Sequence, residues 1–161
     1  GYVVDGLPIR GETGVAGEIG HLPIDPLGRP CPCGQFGCLE TVASGSGLKT
    51  YWPAGGDHPG RVLLAAIEAG DADAKFALDH LVEGAASAIR VLGFTLDPGT
   101  LVIGGGLRLV GDPVIEGIRS TLQRWESDSP FFAQLKMSER IQVLPEDSPA
   151  AAVGAAIASR S

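Results

Sequence analysis

The chain is poor in sulfur: of its 161 residues three are cysteine and one is methionine. Three cysteines cannot all pair with one another, so a disulfide framework is excluded as what holds this fold together. Long apolar runs are missing too. No stretch approaches the roughly 18 residues that a bilayer-crossing helix needs, so no membrane contact is expected. Positive charge is scarce, with 12 Lys and Arg against 19 Asp and Glu for a net charge of −7, and the basic residues do not cluster. Direct nucleic-acid contact by this segment is therefore not expected, because phosphate binding needs a basic face. Neither a Walker A loop nor a G-x-G-x-x-G fingerprint occurs. No secretory leader is visible, and unpaired thiols suit a reducing compartment, which points to the cytoplasm.

What remains is an ordinary globular composition, 44% hydrophobic and 19% charged, long enough for one domain with a real core. The chain opens at Gly1 inside an apolar pattern (Tyr2, Val3, Val4), as part of a longer polypeptide would. Asp5-Gly6 between two apolar runs predicts a β-hairpin over residues 1–10. Residues 11–37 are broken by glycine and proline and keep neither helix nor strand period, so they form a loop that something other than a core must hold.

A short helix is expected from Cys38 to about Leu48, ending near Gly45 or Gly47. A turn-rich break follows at 53–60, then a helix from Arg61 to Ala69. Asp71 is placed to cap a long helix to about Leu96, with Phe76, Leu81, Ala85, Ala88, Ile89 and Leu92 as its buried stripe. Asp97-Pro98-Gly99 stops it. Leu101–Ile103 reads as a buried strand running into Gly104-Gly105-Gly106. A helix from about Pro113 to Trp125, a loop, a strand at Ile141–Leu144 and a closing helix from Ala150 to Ser159 complete the chain. In the last of these, Gly154 is expected to allow close helix packing. Strands alternating with helices give an α/β domain.

All three cysteines fall within the loop and its edge. With His21 they make the pattern His-x9-Cys-x-Cys-x4-Cys, formed by His21, Cys31, Cys33 and Cys38. Three thiolates and an imidazole complete a tetrahedral zinc shell with no open position, so the metal expected here is structural. It would hold a loop that buries too little surface to hold itself. Glu18 lies three residues before His21 and Glu40 two after Cys38. Carboxylates tied to a metal framework can accept hydrogen bonds from vicinal hydroxyls, as in sugar binding, or they can be solvated or capping residues; spacing alone leaves both readings open. Likewise Gly104-Gly105-Gly106 is either a close-approach site for a nucleotide or a plain strand-to-helix turn.

Glu18-x-Gly20-His21 followed by Cys31-x-Cys33-Gly34-x-x-Gly37-Cys38-x-Glu40 resembles the signature of the ROK family of repressors and sugar kinases. Leu96-Asp97-Pro98 with Leu101–Gly106, and Ala152–Ala156, resemble two further family segments. The resemblance implies an actin-like, ribonuclease-H-like lobe with a zinc-binding loop over residues 17–40. It implies that Glu18, His21 and Glu40 contact a sugar, that His21, Cys31, Cys33 and Cys38 bind Zn2+, and that Gly104 and Gly105 lie near ATP and its Mg2+. It casts residues 1–161 as a C-terminal lobe.

The family's Asp-x-Gly-x-Thr phosphate loop and Asn-Asp pair, whose aspartate is the general base, do not occur in these residues. Asp5 and Asp25 sit in turns and do not replace it. Alone, the chain is not expected to be an active kinase. Its parent is expected to be an ATP-dependent hexose or N-acetylhexosamine kinase; the alternatives are the sugar-sensing domain of a repressor, with DNA contact made elsewhere, and a zinc-stapled interaction module that binds no sugar. An exposed cleft face further suggests a homo-oligomer.

Overall fold

A computed structural model describes residues 1–108, 110–145 and 147–158. Strands β1 (Tyr2–Val4) and β2 (Leu7–Ile9) pair antiparallel with Tyr2 opposite Ile9. Asp5 and Gly6 both have positive φ, 51° and 79°, as the tight two-residue turn between them requires. Two 3-10 turns, Ile19–His21 and Leu39–Thr41, mark the ends of the long loop and pack on each other. Helices α1 (Gly45–Tyr51), α2 (Pro59–Glu68) and α3 (Ala72–Leu96) follow, with a 3-10 turn at Pro53–Gly55. Strand β3 (Leu101–Ile103) leads into α4 (Gly105–Arg108) and α5 (Asp112–Asp128). Then come α6 (Pro130–Ala133), a 3-10 turn at Met137–Arg140, β4 (Ile141–Val143) and α7 (Ala150–Ala158). Strands β3 and β4 are parallel, with Leu101 opposite Ile141.

The core lies between α3 and α5. Leu81, Val82, Ala85, Ala86 and Ile89 of α3 meet Val114, Ile115, Ile118 and Leu122 of α5, with Leu48, Trp52, Leu63 and Met137 closing the ends. Each large aliphatic side chain fully buried there stabilises the fold by about 1.5–3 kcal/mol. Asp71 caps α3 as expected: its carboxylate accepts from the Ala74 N–H at 2.9 Å and from Trp52 Nε1–H at 3.0 Å. These donors, the Ala74 amide first, hold its carboxyl below the usual aspartate range.

Several expectations need correction. The helix expected from Cys38 to Leu48 is split, and Gly45 begins α1 instead of ending a helix. Ser44 is the reason: its hydroxyl accepts from the Gly47 N–H at 3.0 Å and donates to the Glu40 carbonyl at 2.6 Å, so the chain turns and restarts there. Phe76 is not core; it is 53% exposed and packs its ring on His80. Val102 in the centre of β3 is exposed, because among the described residues its face of the two-stranded sheet is left open. Among the described residues nothing comes within 4 Å of where a Cβ on Gly154 would stand, so α7 makes no close packing contact with them there. The second helix starts two residues early because Pro59 takes a first-turn position, and the loop read after Trp125 holds the end of α5, α6 and a 3-10 turn. Ser159, the expected end of the closing helix, lies outside the described residues.

Candidate functional site

Backbone bonds fold the cysteine loop before any metal is considered. The Cys31 N–H donates to the Gln35 carbonyl and the Gly34 N–H to the Cys31 carbonyl, making a tight knuckle around Cys31-Pro32-Cys33. Gly37 N–H donates to the Arg29 carbonyl, and the Gly37 carbonyl accepts from Ile24. At this crossing there is no room for a side chain. Gly37 has φ +64°, and a Cβ added to it would collide with the Asp25 carbonyl oxygen.

The crossing brings His21, Cys31, Cys33 and Cys38 together, with one donor atom from each all within 4.8 Å of one another. Cys31 Sγ lies 3.6 Å from His21 Nδ1, and Cys33 Sγ lies 3.6 Å from Cys38 Sγ. Bond lengths of about 2.3 Å to sulfur and 2.0 Å to nitrogen make the edges of a tetrahedral zinc shell roughly 3.5–3.8 Å. Donor set and spacing both fit such an ion. The sulfurs are chemically unequal: amide donors from Gln35, backbone first and then side chain, bring the exposed Cys33 thiol down to about 6. Burial, then the neighbouring sulfurs, pushes Cys38 up to about 12. Three thiolates so close repel one another, and a divalent cation removes that repulsion.

Glu40 belongs to the second 3-10 turn and Glu18 immediately precedes the first. Because those turns pack together, both acids line one hollow of about 500 Å³ with Gly20, Ser44, Gly104 and Leu107. Ala85, Ala88 and Ile89 of α3 and Val102 and Ile103 of β3 supply its apolar wall. Gly20 backs onto Glu40, and His21 Nδ1 stands 3.7 Å from Glu40 Oε2, which ties the hollow to the cysteine cluster. Two carboxylates over an apolar wall, with no basic side chain among the described residues of the lining, suit a neutral molecule with hydroxyl donors on its rim and C–H groups on its face.

The glycine run is divided. Gly104 lines the acidic hollow, whereas Gly105 opens with Gly106 and Arg108 onto a separate hollow of about 360 Å³ floored by Leu144, Pro145, Ser148 and α7. A third space of about 510 Å³, lined in part by Asp57, His58, Arg61 and Gly106, adjoins the acidic hollow. Ala43, Ser44 and Leu107 belong to both linings and form the partition. Sequence reasoning missed Ser44 and Leu107. The Ser44-Gly45-Ser46 run carried a capping signal, while nothing local marks Leu107. Among the described residues no helix is long and apolar enough to cross a membrane.

A family model described as ROK family matches residues 1–160. A glucokinase of Halalkalibacterium halodurans is 34% identical over 142 residues, which covers 78% of this chain and 43% of the relative. The ROK hexokinase of Thermus thermophilus superposes with a TM-score of 0.79 at 27% identity, covering 96% of this chain and 51% of that one. A ROK family transcriptional regulator, a homologue of the E. coli MLC protein, superposes with a TM-score of 0.64 at 27% identity, covering 88% of this chain and 37% of that one. The fold is thus the α/β, actin-like fold of these proteins, and the chain spans about half the length of the relatives it matches.

Proposed function

The chain belongs to the ROK family, and on that premise we propose that it is the sugar-binding C-terminal lobe of an ATP-dependent hexose or N-acetylhexosamine kinase. One observation carries the reading: Glu18 and Glu40 enter a single hollow that also reaches Gly104. Hydroxyl-to-carboxylate hydrogen bonds are charge-assisted and directional, so two acids fix a sugar ring in one orientation against the apolar wall. His21 supplies its imidazole to the cysteine cluster and borders Glu40, linking the sugar's position to the metal. His21, Cys31, Cys33 and Cys38 would hold Zn2+, which would supply a fixed frame for the loop.

The reaction class is in-line phosphoryl transfer. The sugar oxygen forms a bond to the γ-phosphorus, the bond to the β,γ-bridging oxygen breaks, and the sugar hydroxyl's proton passes to a base. Mg2+ supplies charge neutralisation on the phosphates in such a transfer. In this chain Glu18 and Glu40 orient the acceptor, and Gly104 and Gly105 let backbone come close to the nucleotide. The base is an aspartate in an N-terminal lobe that these 161 residues do not contain, so the chain alone transfers no phosphate. A sugar-sensing domain of a transcriptional repressor is the second reading, favoured by the likeness to the MLC-type regulator.

Calorimetric titration of the zinc-loaded chain with glucose and with N-acetylglucosamine tests the shared core of both readings. Binding of one of them, lost in Glu18→Gln and Glu40→Gln, supports it. Binding unchanged in both variants, or no binding of either sugar with one zinc per chain present, refutes it. ATP-dependent phosphorylation by a longer polypeptide carrying the Asp-x-Gly-x-Thr loop separates kinase from repressor.

A further inference from the structure

Outside the acidic hollow, a column of stacked side chains joins the cysteine loop to the helices. The Arg29 guanidinium carbon lies 4.4 Å from the centroid of the Tyr51 ring. Tyr51 in turn stands 4.6 Å from the His80 ring at 36°, and His80 stands 4.1 Å from Phe76 at 43°. His80 is itself fixed by a contact of 3.1 Å between its Nδ1 and the Phe76 carbonyl. The column therefore links three pieces of chain: the loop, the last residue of α1, and the first half of α3.

Arg29 belongs to the backbone crossing of the loop. Its carbonyl accepts the Gly37 N–H at 2.8 Å, one residue before Cys38, and the Cys38 carbonyl accepts both the N–H and the hydroxyl of Thr41. Glu40 lies within that last turn. The loop has a second seat on α3, where Val42 and Ala43 come so near Gly84 that a Cβ there would lie 3.0 Å from each side chain. Beside this seat, between loop and helix, lies a hollow of about 310 Å³ lined in part by Ile24, Val42, His80, Gly84 and Ser87. A loop resting on α3 at that seat alone would keep a rotational freedom about it. The Arg29 seat removes that freedom.

We infer that Arg29 on Tyr51 is a positioning pair that registers the cysteine loop against the helical layer and so sets Glu40 at the wall of the acidic hollow. The last step rests on the sugar-binding reading above; the registration itself does not. A planar guanidinium over a ring is geometrically specific in a way that a lysine ammonium is not. The guanidinium charge faces the π-surface of the Tyr51 ring, whose quadrupole attracts it.

The test compares the 161-residue chain, with one equivalent of zinc added, with its Arg29→Gln, Tyr51→Leu and Tyr51→Phe variants. Amide hydrogen exchange over residues 20–40, zinc content and sugar titration are read on each. Arg29→Gln alters an exposed side chain and keeps the experiment decisive if Tyr51→Leu disturbs folding. Expected are loop amides that exchange about fivefold faster in Arg29→Gln and Tyr51→Leu, sugar affinity about fivefold weaker, zinc retained, and Tyr51→Phe restoring both readouts. Unchanged loop exchange in Arg29→Gln overturns the inference. Faster exchange with unchanged sugar affinity overturns it as well, since the pair would then hold the loop without setting Glu40. If the unmodified chain binds neither sugar yet its loop exchange responds to Arg29→Gln, the registration stands and the sugar reading fails.

Discussion

Between Gly17 and Glu40 the buried side chains are Cys31, Cys38 and Leu39, whereas α3 and α5 bury Leu81, Val82, Ile89, Val114, Ile115, Ile118 and Leu122 against one another. The helices are held by surface taken from water, which needs no particular partner and survives small changes. The loop is held by backbone crossings, one stacked arginine and a four-residue donor cluster. Lose one of those and little apolar burial remains to compensate. The acids that shape the hollow stand on the second kind of support, while its apolar wall stands on the first. A ligand there would bridge a part of the molecule that is robust and a part that is conditional.

Removing the proposed zinc is the strongest way to break that contrast. Chelation, or Cys38→Ala, is expected to take zinc from one per chain to none by elemental analysis and to abolish amide protection across residues 17–40. The helical signal in circular dichroism should persist. If it collapses with the metal, the two regions form one cooperative unit and the contrast is wrong.

The converse experiment perturbs the helices. Ile118→Ala removes a side chain with no exposed surface, and is expected to lower the unfolding free energy by about 2–5 kcal/mol in urea titration while the folded fraction keeps its metal. A smaller effect is expected at the junction. Glu40→Gln should weaken sugar binding by about 10- to 100-fold, the worth of a hydrogen bond to a charged group, with zinc content unchanged. Loss of zinc in that variant would mean that Glu40 supports the cluster more than the ligand.

The smallest effect concerns the cap of α3. An unfolded aspartate titrates near about 3.9, and folded Asp71 titrates lower. Its contribution is therefore fully present above about pH 4 and lost as pH falls through the lower, folded-state value. Unfolding followed by tryptophan fluorescence should show the native chain losing stability more steeply below pH 4 than Asp71→Asn does. Equal slopes would place the acid sensitivity elsewhere.

Much of this organisation was legible in the residues. Asp5-Gly6 demanded its hairpin, Asp71 its helix, and the His-x9-Cys-x-Cys-x4-Cys spacing its cluster, because each is a local rule with few competing solutions. Glu18 and Glu40 could be paired only by reference to that cluster, since the spacing of two exposed acids says nothing of where they face. Phe76 had the period of a core residue, yet its stacking partner His80 lies outside the apolar alphabet from which periodicity is read. Ser44 follows Leu39, Val42 and Ala43, whose apolar spacing reads as one helix running through it, although a serine before a glycine-rich turn is a restart signal. Leu107 borders two hollows through contacts that distant parts of the chain create, and no local pattern reports those.

The pinch at Gly37 and Asp25 has a practical side. A saturation library at position 37 should return glycine alone, because even a methyl group there would collide with backbone. Ten residues earlier, Leu27 stands 96% exposed at the tip of the same loop. A fluorophore attached there would ride on the loop without entering the crossing, and its anisotropy would report from outside whether the zinc has been taken up.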